Sequence, residues 1–157
     1  MGNRAHYIIL DAVARSRLGF INVYAPNHPR DRSALWEALL RELPNGCRWL
    51  LMGDLNMVER RADKSSACGR MLPAFERHTF ELLKTGLNLD EPPLAPDSLR
   101  YSWDNLRSNG ARVLARLDRA YVFHDRDTVS SATVADYRIL GGCTQSDHSP
   151  VVLKLQL

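Results

Sequence analysis

Seven polar side chains of this 157-residue sequence sit at or near the ends of apolar runs. Tyr24 and Asn27 follow "FINV", Asp54 and Asn56 follow "WLLM", Asp118 sits within "ARLDRAYV", and Asp147 and His148 stand directly before "SPVVLKL". Three carboxylates, one imidazole, two carboxamides and one phenol are a working set for splitting a phosphate ester. Carboxylates hold a hard cation such as Mg²⁺ through oxygen. Asn and Tyr donate hydrogen bonds to phosphate oxygens, and an imidazole can do the same or transfer a proton. An Asp with an unperturbed pKa of about 3.9 is a weak base at neutral pH, so a nearby cation must make the attacking water more acidic. An Asp–His pair fixes one imidazole nitrogen and aims the other.

Each residue also has an ordinary use when taken alone. Gly53-Asp54 suits a tight turn, Tyr24 a strand edge, and Asp118 a surface ion pair. Asp147-His148-Ser149-Pro150 suits a plain turn. Ser146 and Ser149 beside His148 suggest a nucleophilic serine, but neighbours on an extended chain point different ways, so adjacency is no evidence for a triad.

The elements that must position these groups can be read from periodicity. Residues 7–13 and 18–24 form two strands joined by a polar turn at 15–17. After "PNHPRD", with Asp31 as the cap, a helix begins near Arg32. Leu35, Trp36, Leu39, Leu40 and Leu43 recur along it at helical spacing as a buried stripe. "PNG" at 44–46 stops that helix, and a buried strand runs to Asp54. Residues 60–70 read as a polar loop. A second helix over 72–83 carries Phe75, Phe80, Leu82 and Leu83 as its apolar contacts. "NLDEPPLAPDSLR" is too rich in Pro for a helix or central strand and reads as a surface crossing. A short strand at 101–103, an "NG" hairpin turn at 109–110, and strands over 114–123, 133–140 and 151–157 complete the pattern. Trp36 and Trp103 are assigned to the core. Strand–helix–strand order predicts an α/β layered domain, and neither an internal repeat nor a linker divides residues 1–157.

Composition sets the outer bounds. With 45% hydrophobic and 25% charged residues the chain is an ordinary globular one. No apolar run reaches the length of a membrane span. The first twenty residues lack a cleavage pattern for secretion, and His6 stands where a myristoylation signal needs Ser or Thr. Cys47, Cys68 and Cys143 make neither a zinc pattern nor a disulfide framework, which predicts a reducing interior, nuclear or cytoplasmic, with no role for the thiols. The net charge of +3 is modest. The basic residues are mainly Arg, whose planar head suits phosphate.

"INVYAPN", "LLMGDLN", "YSWDN", "ARLDRAYV" and "SDHSPVVLKL", in this order, resemble the successive motifs of the endonuclease/exonuclease/phosphatase (DNase I-like) superfamily. The wording of "WLLMGDLNMVE", "DKSSACGR", "YSWDN" and "ARLDRAYV" is most similar to the endonuclease domain of plant non-LTR (LINE-type) retrotransposons. The resemblance covers nearly everything from Gly19 to Leu157. It implies a partial four-layer α/β (α+β) sandwich with mixed sheets flanked by helices. By this resemblance Asp54 orients or deprotonates the attacking water, with Asn56 a phosphate-binding amide beside it. Tyr24 and Asn27 match the phosphate-contacting pair. His148 matches the imidazole that binds the scissile phosphate, Asp118 the carboxylate that orients it, and Asp147 a carboxylate of the metal site.

The sequence departs from the superfamily pattern ahead of "INVYAPN". Members carry an Asn motif and then a Glu that is the main metal ligand, whereas the segment here contains no Glu, and Asp11 is its sole acidic residue. The expectation is a domain lacking its N-terminal part, with exposed apolar faces and an unpaired strand edge, and Mg²⁺ or Mn²⁺ held weakly if at all. Two functions from different classes follow. One is a metal-dependent phosphodiester hydrolase, ancestrally DNA-nicking, with the DNA phosphate backbone as partner and no membrane or identified protein partner. The other is a catalytically inactive transposon remnant or nucleic-acid-binding module. A phosphatase of a small molecule or lipid would share the same core chemistry.

Overall fold

The computed structural model describes residues 2–13, 16–66, 71–106, 110–124, 133–141 and 145–156. Cys68, Cys143, Asn109 of the "NG" turn, Arg15 of the first turn and Leu157 lie outside them. The chain opens with strands β1 (Ala5–Val13) and β2 (Ser16–Tyr24), helix α1 (Pro29–Glu42) and strand β3 (Cys47–Asp54). Helix α2 (Ala74–Leu87) and strand β4 (Leu89–Asp90) follow, then β5 (Trp103–Asp104), β6 (Leu114–Ala115), β7 (Asp118–Phe123), β8 (Thr133–Ile139) and β9 (Val151–Gln156).

The principal sheet is mixed, in the order β1-β2-β3-β7-β4. β1 and β2 form an antiparallel hairpin, β2 and β3 run parallel across the α1 crossover, and β7 lies antiparallel to both β3 and β4. β5–β6 and β8–β9 are separate antiparallel pairs. One core joins the sheet to the helices, with Ile21, Trp49, Leu51 and Tyr121 against Trp36, Leu39, Phe80 and Leu83. A smaller core lies on the other face, where Leu18, Leu50 and Val122 meet Val134, Leu153 and Leu155 of β8–β9. Helices, principal sheet and second sheet thus form successive layers, and the α/β sandwich expected from the motifs is the fold the chain adopts.

Several local expectations need correction. α1 starts at Pro29 after His28, so Asp31 lies in its first turn and does not cap it. Proline is suited to that first position because its missing N–H would have no helical partner, and an acid in the first turn favours the helix dipole. Leu40, Phe75 and Leu82 are substantially exposed, because the buried stripes are narrower than their hydrophobic lettering. The 114–123 run is two strands: Leu114–Ala115 pairs with β5, whereas Asp118–Phe123 enters the principal sheet. The short strand expected at 101–103 falls at Trp103–Asp104. Trp103 is only half-buried.

The Pro-rich crossing also does more than skirt the surface. Its Leu89–Asp90 forms an edge strand, and Glu91 enters a buried ion network. There Arg119, fully buried on β7, bonds Asp63 at 2.5 Å and Glu91 at 2.9 Å, while Arg116 reaches Asp63 at 3.0 Å and Glu91 at 3.2 Å. Glu59 accepts from Lys84 and from the Tyr121 hydroxyl, each at 2.7 Å. Such a cluster ties the 59–63 loop and the 91 loop to β7, and so anchors the strand whose first residue is Asp118.

Candidate active site

Sheet register assembles the site. Tyr24, the last residue of β2, pairs with Asp54, the last of β3, and Asp54 pairs with Asp118, the first of β7. Cross-strand partners share a face of the sheet. Two-residue steps place this row on the same face as Phe20, Leu50 and Val122, the side covered further along by β8–β9. His148 stands three residues before β9. Its Nδ1 lies 2.8 Å from Asp118 Oδ2.

The ends of the strands are tied to one another as well. The Ala25 amide donates to the Asp54 carbonyl at 2.8 Å, and the Leu55 amide to that of Leu117 at 3.0 Å. Beyond β3 the chain turns on itself: the Asn56 amide donates to Asp54 Oδ1 at 2.9 Å, with Asn56 in the left-handed region at φ 49°. Asn tolerates that conformation and Asp favours such local turns. The Asn56 side chain then donates one N–H to the Ala25 carbonyl at 2.8 Å, leaving its second N–H for another partner. Gly53, one residue earlier, is strand rather than turn. Its φ is 138°, and a Cβ there would lie 1.9 Å from the Val23 carbonyl oxygen.

Electrostatics follow from this crowding. Burial, and then the charges of Asp118 and Asp147, push the Asp54 carboxyl above its ordinary value, against the Asn56 N–H and the His148 charge. For His148, burial opposes the charged form. The bond to Asp118 and the charges of Asp118, Asp54 and Asp147 outweigh it and raise the imidazole pKa. The result is a carboxylate made more basic and an imidazolium made more persistent, side by side.

Two residues outside the expected set hold the site together. Ser102 is buried, and its hydroxyl accepts the amides of Leu117 at 3.1 Å and Asp118 at 2.9 Å. Its carbonyl accepts the Ser149 amide at 2.7 Å. One serine thus fixes both halves of the Asp118–His148 pair. Trp103, expected in the core, donates its indole N–H to Asp147 Oδ2 at 3.1 Å. Both belong to "YSWDN", so their presence in a motif was the available signal, though not what they do. Arg32 was a third omission: it forms a buried ion pair with Glu76 and donates to the carbonyls of Pro26 at 3.1 Å and Asn27 at 2.7 Å, holding the loop after Tyr24.

The structure therefore brings Tyr24, Asp54, Asn56, Asp118, Asp147 and His148 to one end of the principal sheet. Asn27 is close in sequence to Tyr24, but its exposed side chain makes no hydrogen bond to the Asp54–Asp118–His148 group among the described residues. No group of three or more His, Cys, Asp or Glu is spaced to hold a metal ion among the described residues. The carboxylates nevertheless fit a hard cation in kind. Asp54, Asp118 and Asp147 are each engaged through one oxygen, and their mutual repulsion is what a cation relieves.

No protein-family model matches the sequence. No curated protein matches it either. Solved structures do match. The endonuclease domain of TRAS1, a telomere-specific non-LTR retrotransposon, aligns with TM-score 0.65 at 15% identity over 99% of this chain and 64% of its own. A 3′ phosphatase from Neisseria bound to a product DNA hairpin gives 0.65 at 20% identity, over 99% of this chain and 71% of its own. The AP endonuclease LMAP from Leishmania major gives 0.65 at 20% identity, over 96% of this chain and 54% of its own. At such identities the likeness establishes the shared fold, the DNase I-like one. This chain spans between 54% and 71% of the length of these three structures.

Proposed function

We propose that this chain is a phosphodiester-hydrolase domain of the endonuclease/exonuclease/phosphatase superfamily, acting on the DNA backbone and descended from a LINE-type retrotransposon endonuclease. The observation that carries this is the cross-strand row Tyr24–Asp54–Asp118 with His148 bonded to its end. Its fold neighbours include nucleases and a phosphatase bound to DNA, and four of the motifs quoted above supply that row and its His148.

The residues divide the work as follows. Asp54, with its raised basicity, takes a proton from the attacking water as the oxygen closes on phosphorus. His148 uses Nδ1–H to bind Asp118 and turns Nε2–H toward a non-bridging phosphate oxygen, where negative charge grows in the transition state. Asp118 does not transfer a proton; it fixes the ring and favours the imidazolium. Asn56 offers its remaining N–H, and Tyr24 and Asn27 offer hydroxyl and amide, to the other phosphate oxygens. The P–O bond to the departing sugar oxygen breaks and that oxygen collects a proton. Asp147 would hold Mg²⁺ or Mn²⁺ beside Asp54, and such an ion would acidify water and neutralise phosphate charge.

The test is nicking of supercoiled plasmid by purified protein in Mg²⁺, beside a variant carrying Asp54→Ala and His148→Ala. Metal-dependent nicking that disappears in the variant is the expected result. Equal background in both proteins would remove the hydrolase assignment and leave a nucleic-acid-binding module or inactive remnant.

A further inference from the structure

Arg4 lies beside the row, at the end of the 3-10 turn Gly2–Arg4 that leads into β1. The β1–β2 hairpin starts with the pair Ala5–Val23, and Arg4 immediately precedes Ala5. Its guanidinium carbon lies 5.2 Å from the centre of the Tyr24 ring. A cation over an aromatic face is held by the ring quadrupole, and the planar head keeps its outward N–H groups free to fork around a phosphate. Arg4 and Tyr24 are both exposed, so an extended ligand can reach them.

From these contacts we infer that Arg4 is a binding residue for a phosphate flanking the scissile one, and that the site therefore takes a polynucleotide rather than a small phosphate ester. This rests on the hydrolase function proposed above and gives its DNA substrate a second point of contact. Neighbouring strands lie about 4.8 Å apart, so three steps separate β1, which Arg4 leads into, from the β7 strand of Asp118 by about 14 Å. A single phosphoryl group at the Asp54–Asp118–His148 end does not span that distance. A polynucleotide does, since each strand carries one phosphate per ~3.4 Å of axis. The placement also answers a problem of charge. Asp54, Asp118 and Asp147 repel a polyanion, and a cation at the far end of the row gives an approaching strand a favourable point of entry.

The experiment measures affinity for a duplex oligonucleotide by fluorescence anisotropy across a salt series in EDTA, with the intact chain and three variants. Arg4→Gln should make the slope of log affinity against log salt shallower by about 0.9, the loss of one phosphate contact. Arg4→Lys should retain the slope. Arg77→Gln on α2, which packs on the opposite face of the sheet, makes the same charge change and should retain it also. Circular dichroism of each variant confirms the fold. A salt-dependent parent with an unchanged slope in Arg4→Gln would overturn the role of Arg4 and leave the hydrolase assignment standing. An equal loss in Arg77→Gln would overturn it too, by showing a net-charge effect. Salt-independent binding by the parent would overturn both this inference and DNA as substrate, while plasmid nicking reports on the hydrolase separately.

Discussion

Asp54 and Asp118 are direct cross-strand partners at the joined ends of β3 and β7. Like charges placed opposite one another weaken a sheet, and here Asp147 adds a third. The compensation is local: Asn56 donates its amide to Asp54, and His148 lies against Asp118. Neighbouring groups thus have opposed effects on stability, as expected where a site is arranged for chemistry.

Asp54→Asn should separate activity from stability. A general base contributes about 10²–10⁴ in rate, so nicking should fall by that order. Stability should not fall. The folded pKa of Asp54 is raised, so between its unfolded and folded values the native state binds more protons and stability drops as pH rises. Asn removes that penalty. Urea midpoints should favour the variant or match the parent near neutral pH, and the difference should vanish at about pH 3, where both states are protonated. A less stable variant at neutral pH would contradict this.

The His148 ring should titrate above its ordinary value and return toward it when Asp118 is lost. Desolvation acts the other way, so only the hydrogen bond and the carboxylate charges can raise it. Protonated His148 stabilises the fold below the unfolded pKa of about 6.5, and that contribution is lost as pH rises through the folded value. Following the imidazole Cε1–H by NMR in the parent and in Asp118→Asn reads both values. An identical midpoint would show that the pair seen at 2.8 Å contributes nothing in solution.

Ser102→Ala should leave two partly buried amides without an acceptor. Each unsatisfied group costs about 1–3 kcal/mol, although water entering the small space reduces that sum. Loss of about 2 kcal/mol in urea unfolding is expected, with kcat lowered more than KM changes, because Asp118 loses its anchor while the carbonyl bond to the Ser149 amide remains. Ser102→Thr keeps the hydroxyl and should recover most of kcat. A purely structural serine would lose stability in the Ala variant with no change in the pH profile of turnover.

Much of the site was legible in the sequence because strand ends are marked twice, by the close of an apolar run and by the polar residue that follows. Tyr24 and Asp54 carry that mark at a strand's close, and Asp118 and His148 its mirror image ahead of an apolar run. Ser102 did not, since a buried serine between Tyr101 and Trp103 looks no different from any other strand residue until register shows which amides it meets. The Arg119 network was invisible for a related reason. Asp63 falls in the expected polar loop and Glu91 in the expected surface crossing, and only the fold brings them to Arg119 in one buried cluster. Helix limits were misplaced where two signals competed, as at Pro29 and Asp31. The exposed Leu40, Phe75 and Leu82 show that hydrophobic lettering alone does not fix the width of a buried stripe.

Gly53 shows the same point in sharper form, and it makes a test of the row itself. Taken alone Gly53-Asp54 suits a turn, whereas the apolar run ahead of it predicts a strand to Asp54. In the structure Gly53 pairs with Val23 inside the parallel ladder, and a Cβ would meet the Val23 carbonyl at 1.9 Å with φ at 138°. Forced φ costs about 1–3 kcal/mol and overpacking about as much again, so Gly53→Ala should lose about 3 kcal/mol or more. Gly46→Ala is the matched control: φ is 75°, yet nothing lies within 4 Å of its Cβ. That variant should lose only about 1 kcal/mol, the strain of the left-handed region alone. The two should therefore differ in urea midpoint, and Gly53→Ala alone should also lose nicking activity, because the strand that is pushed aside carries Asp54. Equal midpoints would mean that β2 and β3 do not approach so closely at this level, and Tyr24 and Asp54 would then not share one row.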